Sequence, residues 1–372
     1  MLKVLQYSLV LVSIVFISSC VAPDDKATTE VTEEVEQPLV SAELLKEADL
    51  EILWENKLPI RPGEDLDKLI ILDNRIYGFS NRNYMVSLNR NKGNMIFSRY
   101  ITHMGLPVFG LGLYGDELFS VAGSQLVQID ADSGSNISSK RLEFSAACPA
   151  ARNRSYFYVA GTDRRMRTFR SEDKVLVFEV AAEDDSRIVS AVADEDFVVF
   201  ATDTGSCISI APDEAAKLWQ FDASGGVAEP IVKDSESLFA SSMDTNIYRL
   251  NIRTGKLIWK YQMGAMLKKG PVVTEDMVYQ YARNEGLSAI DKASGKLLWK
   301  LKDGDGLLAE APGKTYVITS EKTLVVMDNK KFKQMHSVAL GDVSIYAANT
   351  ADSKMYIADK KGRIACLRPI EY

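Results

Sequence analysis

Three tryptophans, Trp219, Trp259 and Trp299, stand forty residues apart, and the text around the last two is nearly the same: NIRTGKLIWK at 251–260 and DKASGKLLWK at 291–300. A fixed spacing of this kind means that one supersecondary unit is copied along the chain, each copy needing its neighbours to bury its apolar face. Weaker copies extend the series. About the same step back from Trp219 reaches Phe178 in KVLVFEV, and two further steps reach Phe97 in NKGNMIFSRY. The glycine of the phrase recurs at Gly93, Gly134, Gly255 and Gly295.

Each copy sits in a longer frame. In EPIVKDSESLFASSMDTNIYRLNIRTGKLIWKYQ three short apolar runs precede the phrase or overlap its start. Thr254-Gly255-Lys256 then turns the chain into a fourth run, 257–261. Runs of four to six residues rich in Val, Ile and Tyr, broken by turn residues, predict antiparallel strands. Helical repeats need longer stretches of 3.6-residue periodicity, which are missing. Four strands at this period give the blade of a β-propeller. Blades are expected to start near Leu66, Pro107, Ala146, Ser190, Glu229, Gly270, Ala309 and Ser344, which makes the chain an all-β, eight-bladed propeller of four-stranded antiparallel blades. The eighth copy runs out at Tyr372 before any GKLLW-like strand. The missing strand stands at the other end as EILWENKLPI, 51–60, with Trp54. An N-terminal strand completing the last blade closes the ring by ladder hydrogen bonds and leaves no seam edge. On this reading the tryptophans are architectural plates packed between blades, not ligand contacts.

The first residues lie outside the ring. MLKVLQYSLVLVSIVFISSC has an early Lys3, an apolar run too short for a comfortable membrane span, then small residues, which reads as an export signal over 1–19. Ile17-Ser18-Ser19-Cys20 resembles the bacterial lipobox, which implies cleavage before Cys20 and lipid attachment to its thiol; Val21, where an inner-membrane retention signal would carry Asp, favours the outer membrane. Residues 20–50 begin acidic and Thr-rich (VAPDDKATTEVTEEVEQ) and read as a lipid-anchored tether, with SAELLKEADL (41–50) forming one short helix under a Ser cap. The propeller is expected over 51–372.

The formal charge of −7 argues against nucleic acid as a partner. Besides Cys20 there are Cys148, Cys207 and Cys366, an odd number in apolar runs, expected as buried small hydrophobes without partners. Only two histidines occur, His103 and His336, in different blades and beside no acidic cluster, so neither a His-based zinc site nor a Ser–His–Asp triad is expected. There is no P-loop and no CxxC. KDGDG at 302–306 has the look of a calcium loop but lacks the Glu such loops place later, and reads as an inter-blade turn. No cofactor, metal or catalytic residue is assigned.

DKASGKLLW and NIRTGKLIW resemble the tryptophan-docking repeats of the pyrroloquinoline-quinone (PQQ)-like propellers. One branch, the quinoprotein dehydrogenases, is larger and carries adjacent cysteines at its cofactor; this chain has no Cys-Cys pair. The other branch, the BamB family, comprises lipoproteins of about this length with eight four-stranded blades, and the resemblance to it covers nearly the whole chain. It implies a non-catalytic scaffold of the outer-membrane β-barrel assembly machinery. Such a scaffold faces the periplasm and docks on the periplasmic domains of a BamA-like protein through inter-blade connections on one face. Arg187, in EDDSRIVSA before blade four, matches the Arg that the family uses there. Before blade five the family carries a pair of Asp, whereas here DASGGVAEP places Gly225 and Val227, with Asp222 and Glu229 nearby. Two other functions stay open: an extracytoplasmic interaction propeller with an unrelated partner, and a PQQ- or sugar-binding propeller enzyme. Apolar pairs in the connections (Met104 and Leu106, Met266 and Leu267, Leu307 and Leu308) read either as inner-strand packing or as an adaptable binding surface.

Overall fold

A computed structural model describes residues 38–370; the export signal and Cys20 lie outside the described residues. Among these, strands form eight four-stranded antiparallel sheets. In chain order the blades span 66–100, 108–141, 151–181, 188–222, 227–262, 272–301 and 304–339, and the eighth combines 345–369 with the N-terminal strand Leu50–Lys57. That strand pairs antiparallel with Arg363–Pro369 as the outer strand of blade eight, so the ring is closed as the sequence implied.

Burial explains the residue choice strand by strand. Second strands such as Arg75–Ser80 (RIYGFS) and Val198–Thr202 (VVFAT) are buried along almost their whole length, because both faces meet neighbouring blades, and they read as near-continuous apolar runs without polar alternation. Outer strands such as Leu257–Gln262 alternate exposed and half-buried residues, since one edge and part of one face meet solvent. The core is not one mass. It is eight hydrophobic clusters, each shared by two adjacent blades, including one between blades eight and one.

The repeated phrase builds these joints. In every blade the pairing of third and outer strands carries a bulge at one place. The outer-strand residue after it occupies a docking position: Phe97, Ser138, Phe178, Trp219, Trp259, Trp299, His336 and Trp54. A bulge bends and twists the strand, and so turns this side chain onto the next blade. Trp219 donates from Nε1 to the Ile252 carbonyl (2.9 Å) and Trp259 to that of Lys292 (2.9 Å), each in the turn of the following blade. The turn glycine beneath is required twice over. Gly255 has φ +67°, and a Cβ there would lie 2.5 Å from the Trp219 ring; Gly295, φ +71°, stands likewise under Trp259. Glycine does not stand at every joint. Blade two offers only Ser138, and the facing turn of blade three holds Lys174 at φ +59° in place of glycine. The blade-seven turn holds Phe332 at φ +55° in the same place, and there Trp299 donates from Nε1 to Asn329 Oδ1 (3.1 Å) and not to a backbone carbonyl.

The closing joint is the most heavily tied. Trp54 lies on the blade-one turn, its Nε1 donating to the Arg90 carbonyl at 3.2 Å, with Gly93 beneath the ring. Arg90 returns the contact through its guanidinium to Asp352 of blade eight at 2.6 Å, and Lys354 reaches Asn91 at 3.1 Å. Inside blade eight Trp54 packs on Tyr356, ring centroids 6.1 Å apart.

Three sequence expectations need correction. The stretch 38–49, expected in the tether, is packed: Leu39, Val40 and Leu45 are buried in the cluster between blades seven and eight, so the folded body starts at about residue 38 and not at 51. The helix forms as Ala42–Lys46, but Ser41 makes no capping bond; its hydroxyl donates to Glu43. Blade seven starts at Gly304, not Ala309, because two bulges carry its first strand through the Asp-Gly text that read as a turn.

Cys148, Cys207 and Cys366 are buried and unbridged, as expected; burial pushes each thiol up to about 12.

Two outcomes follow. Trp54→Ala, at a partly buried ring, should cost about 2–4 kcal/mol, a little under the range for a fully buried aromatic truncated to Ala. His336→Ala, at a docking position whose next blade has no turn joining its third and outer strands, should cost less than about 1 kcal/mol; urea midpoints compare them. Native protein treated with iodoacetamide at mildly alkaline pH should leave Cys148, Cys207 and Cys366 unmodified, because the reactive thiolate is scarce below the raised pKa and the sulfurs are covered. Peptide mapping before and after guanidinium unfolding reads this directly.

Candidate partner-docking face

Antiparallel alternation within each blade places the inter-blade connections and the hairpins between second and third strands at the same end of the ring. Arg187 stands there, in the connection between Ala181 and Ile188. Its backbone N–H donates to Asp203 Oδ1 (3.0 Å), its carbonyl accepts from the Asp203 N–H (3.0 Å), and its Nε lies 3.4 Å from Asp203 Oδ2. The position is thus fixed by backbone while the side chain stays 60% exposed. The rest of the connection is braced. Asp184 accepts from the Ser186 N–H and the Thr204 hydroxyl, bonds to Ser186 and Thr204 that hold its carboxyl below the ordinary range. Arg164 pairs with Asp185 at 3.1 Å. What results is a guanidinium presented from a rigid loop, the form in which Arg serves interfaces best.

The connection before blade five is built differently. Residues 223–226 wedge between the hairpins at 203–205 and 243–245, so closely that a Cβ on Gly225 would meet the Asp244 backbone and one on Gly226 the Asp203 carbonyl. Val227 is buried at 3%. A side chain at 225 would run into backbone and the one at 227 is buried, so an acid pair at these two positions has no room to project. Acids stand beside it instead. Asp222 accepts from Ser206 (2.7 Å). Asp244 accepts from the Tyr248 hydroxyl (2.6 Å) and the Ser224 N–H (3.0 Å); burial works against its charge, but these bonds and those of Asn246 prevail and keep its carboxyl below the usual range.

The apolar pairs divide. Leu267, Leu307 and Leu308 are buried between blades, whereas Met104 (63% exposed), Met266 (61%) and Leu106 (43%) are exposed, all in connections at this end. Met243, in the hairpin beside Asp244, joins them at 43%. Asp203, Asp244 and Met243 were missed in the sequence; the recurring Asp-Thr of TDTG and MDTN was the available signal.

KDGDG crosses from blade six to blade seven, and Asp305 accepts from the Tyr346 hydroxyl at 2.9 Å. Among the described residues no three His, Cys, Asp or Glu side chains gather as a metal-binding group. His103 lies in the connection after blade one and His336 in the outer strand of blade seven, so the two belong to different blades.

Three solved structures share the fold. BamB from Moraxella catarrhalis superposes with a TM-score of 0.65 at 13% identity, covering 86% of this chain and 97% of that one. The computationally designed Ika8 protein gives 0.66 at 12% identity, covering 85% and 98%. The C-terminal WD40 domain of Sif2 gives 0.65 at 11%, covering 86% and 98%. At such identities these likenesses establish the propeller and nothing finer. No curated protein matches the chain in sequence. Sequence does speak at family level: the family model described as "Outer membrane protein assembly factor BamB" matches residues 122–242 and 209–369, together more than half of the chain. The chain therefore belongs to this BamB family of PQQ-like repeat propellers.

Proposed function

We propose that the chain is a non-catalytic scaffold lipoprotein of the outer-membrane β-barrel assembly machinery. It docks, through the end of the ring that carries Arg187, on periplasmic domains of a BamA-like protein. The family match supports the assembly role. The observation that carries the docking site is Arg187: a guanidinium held in place by backbone bonds and left exposed, beside exposed methionines at the same end. Export through residues 1–19, lipidation of Cys20 and a tether from there to the folded body complete the reading. They would hold the ring at the outer membrane, facing the periplasm.

One observation favours a second reading, an extracytoplasmic propeller with an unrelated partner. The glycine-wedged connection before blade five leaves no room for the acid pair that the family resemblance implies. Docking on the same partner then needs Asp222 or Asp244 to stand in, or a different contact.

Arg187→Glu should lower capture of a BamA-like protein from solubilised envelope, while the melting temperature barely moves, since an exposed ion pair is worth about 0–1 kcal/mol. Undiminished capture removes this residue from the interface. Capture of a protein unrelated to barrel assembly, lost in the same variant, favours the second reading. For the anchor, Cys20→Ser should move the protein from the membrane to the soluble periplasmic fraction; a variant still in the membrane overturns lipid anchoring at Cys20.

A further inference from the structure

The GAMLKKGP text contributes more than an apolar pair. The connection from blade five to blade six, together with the end of the strand Met277–Ala282 and the hairpin after it, encloses a cavity of about 430 Å³. It is lined by Ala265, Met266, Lys268, Lys269, Tyr281, Arg283 and Asn284. We propose that this cavity is a binding site for an acidic peptide segment, carboxylates with interspersed apolar side chains, from a partner protein. The proposal stands without the docking role of Arg187.

The first argument is charge. The chain as a whole is at −7, yet three cations converge on one concavity, and none of them makes an ion pair among the described residues. The acid that follows the lining residue Asn284 is already committed: Glu285 pairs with Lys300 and accepts from the Gly264 N–H, which together hold its carboxyl low. Like charges gathered without counter-charges cost stability, and such departures are kept where function needs them.

The second argument is that the frame is built. Leu267 is wholly buried in the cluster between blades five and six. The buried Gln280 donates to the Lys269 carbonyl at 2.9 Å while accepting from the Ser241 hydroxyl at 2.5 Å. The Gly270 N–H donates to the Glu229 carbonyl at 2.8 Å. The loop backbone is thereby fixed on both sides of Lys268 and Lys269. Lys269 Nζ lies 5.2 Å from the centre of the Tyr281 ring, whose face helps to place the ammonium.

The third argument selects the ligand. Met266, 61% exposed, forms the lip, and Met243, 43% exposed, stands on the hairpin of blade five at the same end. Adaptable thioethers beside cations suit a chain that alternates carboxylates with apolar side chains. An anionic bilayer suits the site poorly. Other loops of this end carry Asp203, Asp244, Glu321 and Asp342, the last with 82% of its side chain exposed, and a flat anionic surface laid on this end would meet those acids as well as the cavity.

The test uses the full chain and a fluorescein-labelled peptide alternating Glu and Leu, read by anisotropy, with a Gln-for-Glu peptide beside it. The Glu peptide should bind and the Gln peptide should not. The pair Lys268→Glu and Lys269→Glu, or Arg283→Glu, should weaken binding by about tenfold or more. The milder Lys268→Gln with Lys269→Gln should act in the same direction and covers the case where reversal disturbs folding. Lys92→Glu with Lys296→Glu, in turns at the opposite end of the ring, should leave binding unchanged. Failure of the Glu peptide to bind, equal binding of the Gln peptide, or equal loss in the opposite-end variant overturns the proposal. So does co-sedimentation with phosphatidylglycerol vesicles that depends on Lys268 and Lys269 while the peptide stays unbound.

Discussion

An aromatic ring from one blade pressed on a bare turn of the next is the contact on which the ring depends. A four-stranded sheet of this size has no independent core; both faces of its second and third strands must be covered by neighbours. The docked tryptophan fixes the distance and angle at which that covering occurs. It spans from its own sheet to the next turn, and its indole N–H finds a carbonyl there, so a buried donor is satisfied. The bulge before it and the glycine beneath it are consequences: one aims the plate, the other clears its seat.

Because this contact is local in sequence on both sides, it was readable. Trp259 and Gly255 lie four residues apart in one phrase, and each phrase holds the plate for one joint and the seat for another. The period, the strand count and the completion of blade eight by Trp54 all followed from that phrase. What could not be read was anything that depends on how loops from different copies meet. Asp203 holds Arg187 from a hairpin sixteen residues on. Arg283 joins Lys268 and Lys269 from another hairpin. Neither grouping leaves a mark in spacing, since each loop varies freely once the strands are set. The blade-seven boundary failed for a related reason: Asp-Gly text signals a turn, and here bulges absorb it within a strand.

The two ends of the ring divide the labour. Turns carrying the docking glycines lie at one end, where φ and clearance leave little freedom. Connections and second hairpins lie at the other, where only their anchoring residues, such as Leu267 and Val227, are constrained. Exposed Arg, Lys and Met side chains can therefore change at that end without disturbing the joints. A family match that rests on the repeats is for this reason stronger evidence for the fold than for a particular partner.

The position of the chain break has a mechanical consequence. A pull transmitted through the N-terminal segment enters the folded body at about residue 38 and meets Leu39, Val40 and Leu45 wedged between blades seven and eight. Only beyond these does it reach the strand Leu50–Lys57, hydrogen-bonded along its length to Arg363–Pro369 and bolted to blade one through Trp54. The wedge shields the strand that closes the ring, and the load is shared by three blades before any ladder bond is strained. A propeller cut at this point behaves as a clasp whose latch sits behind its hinge.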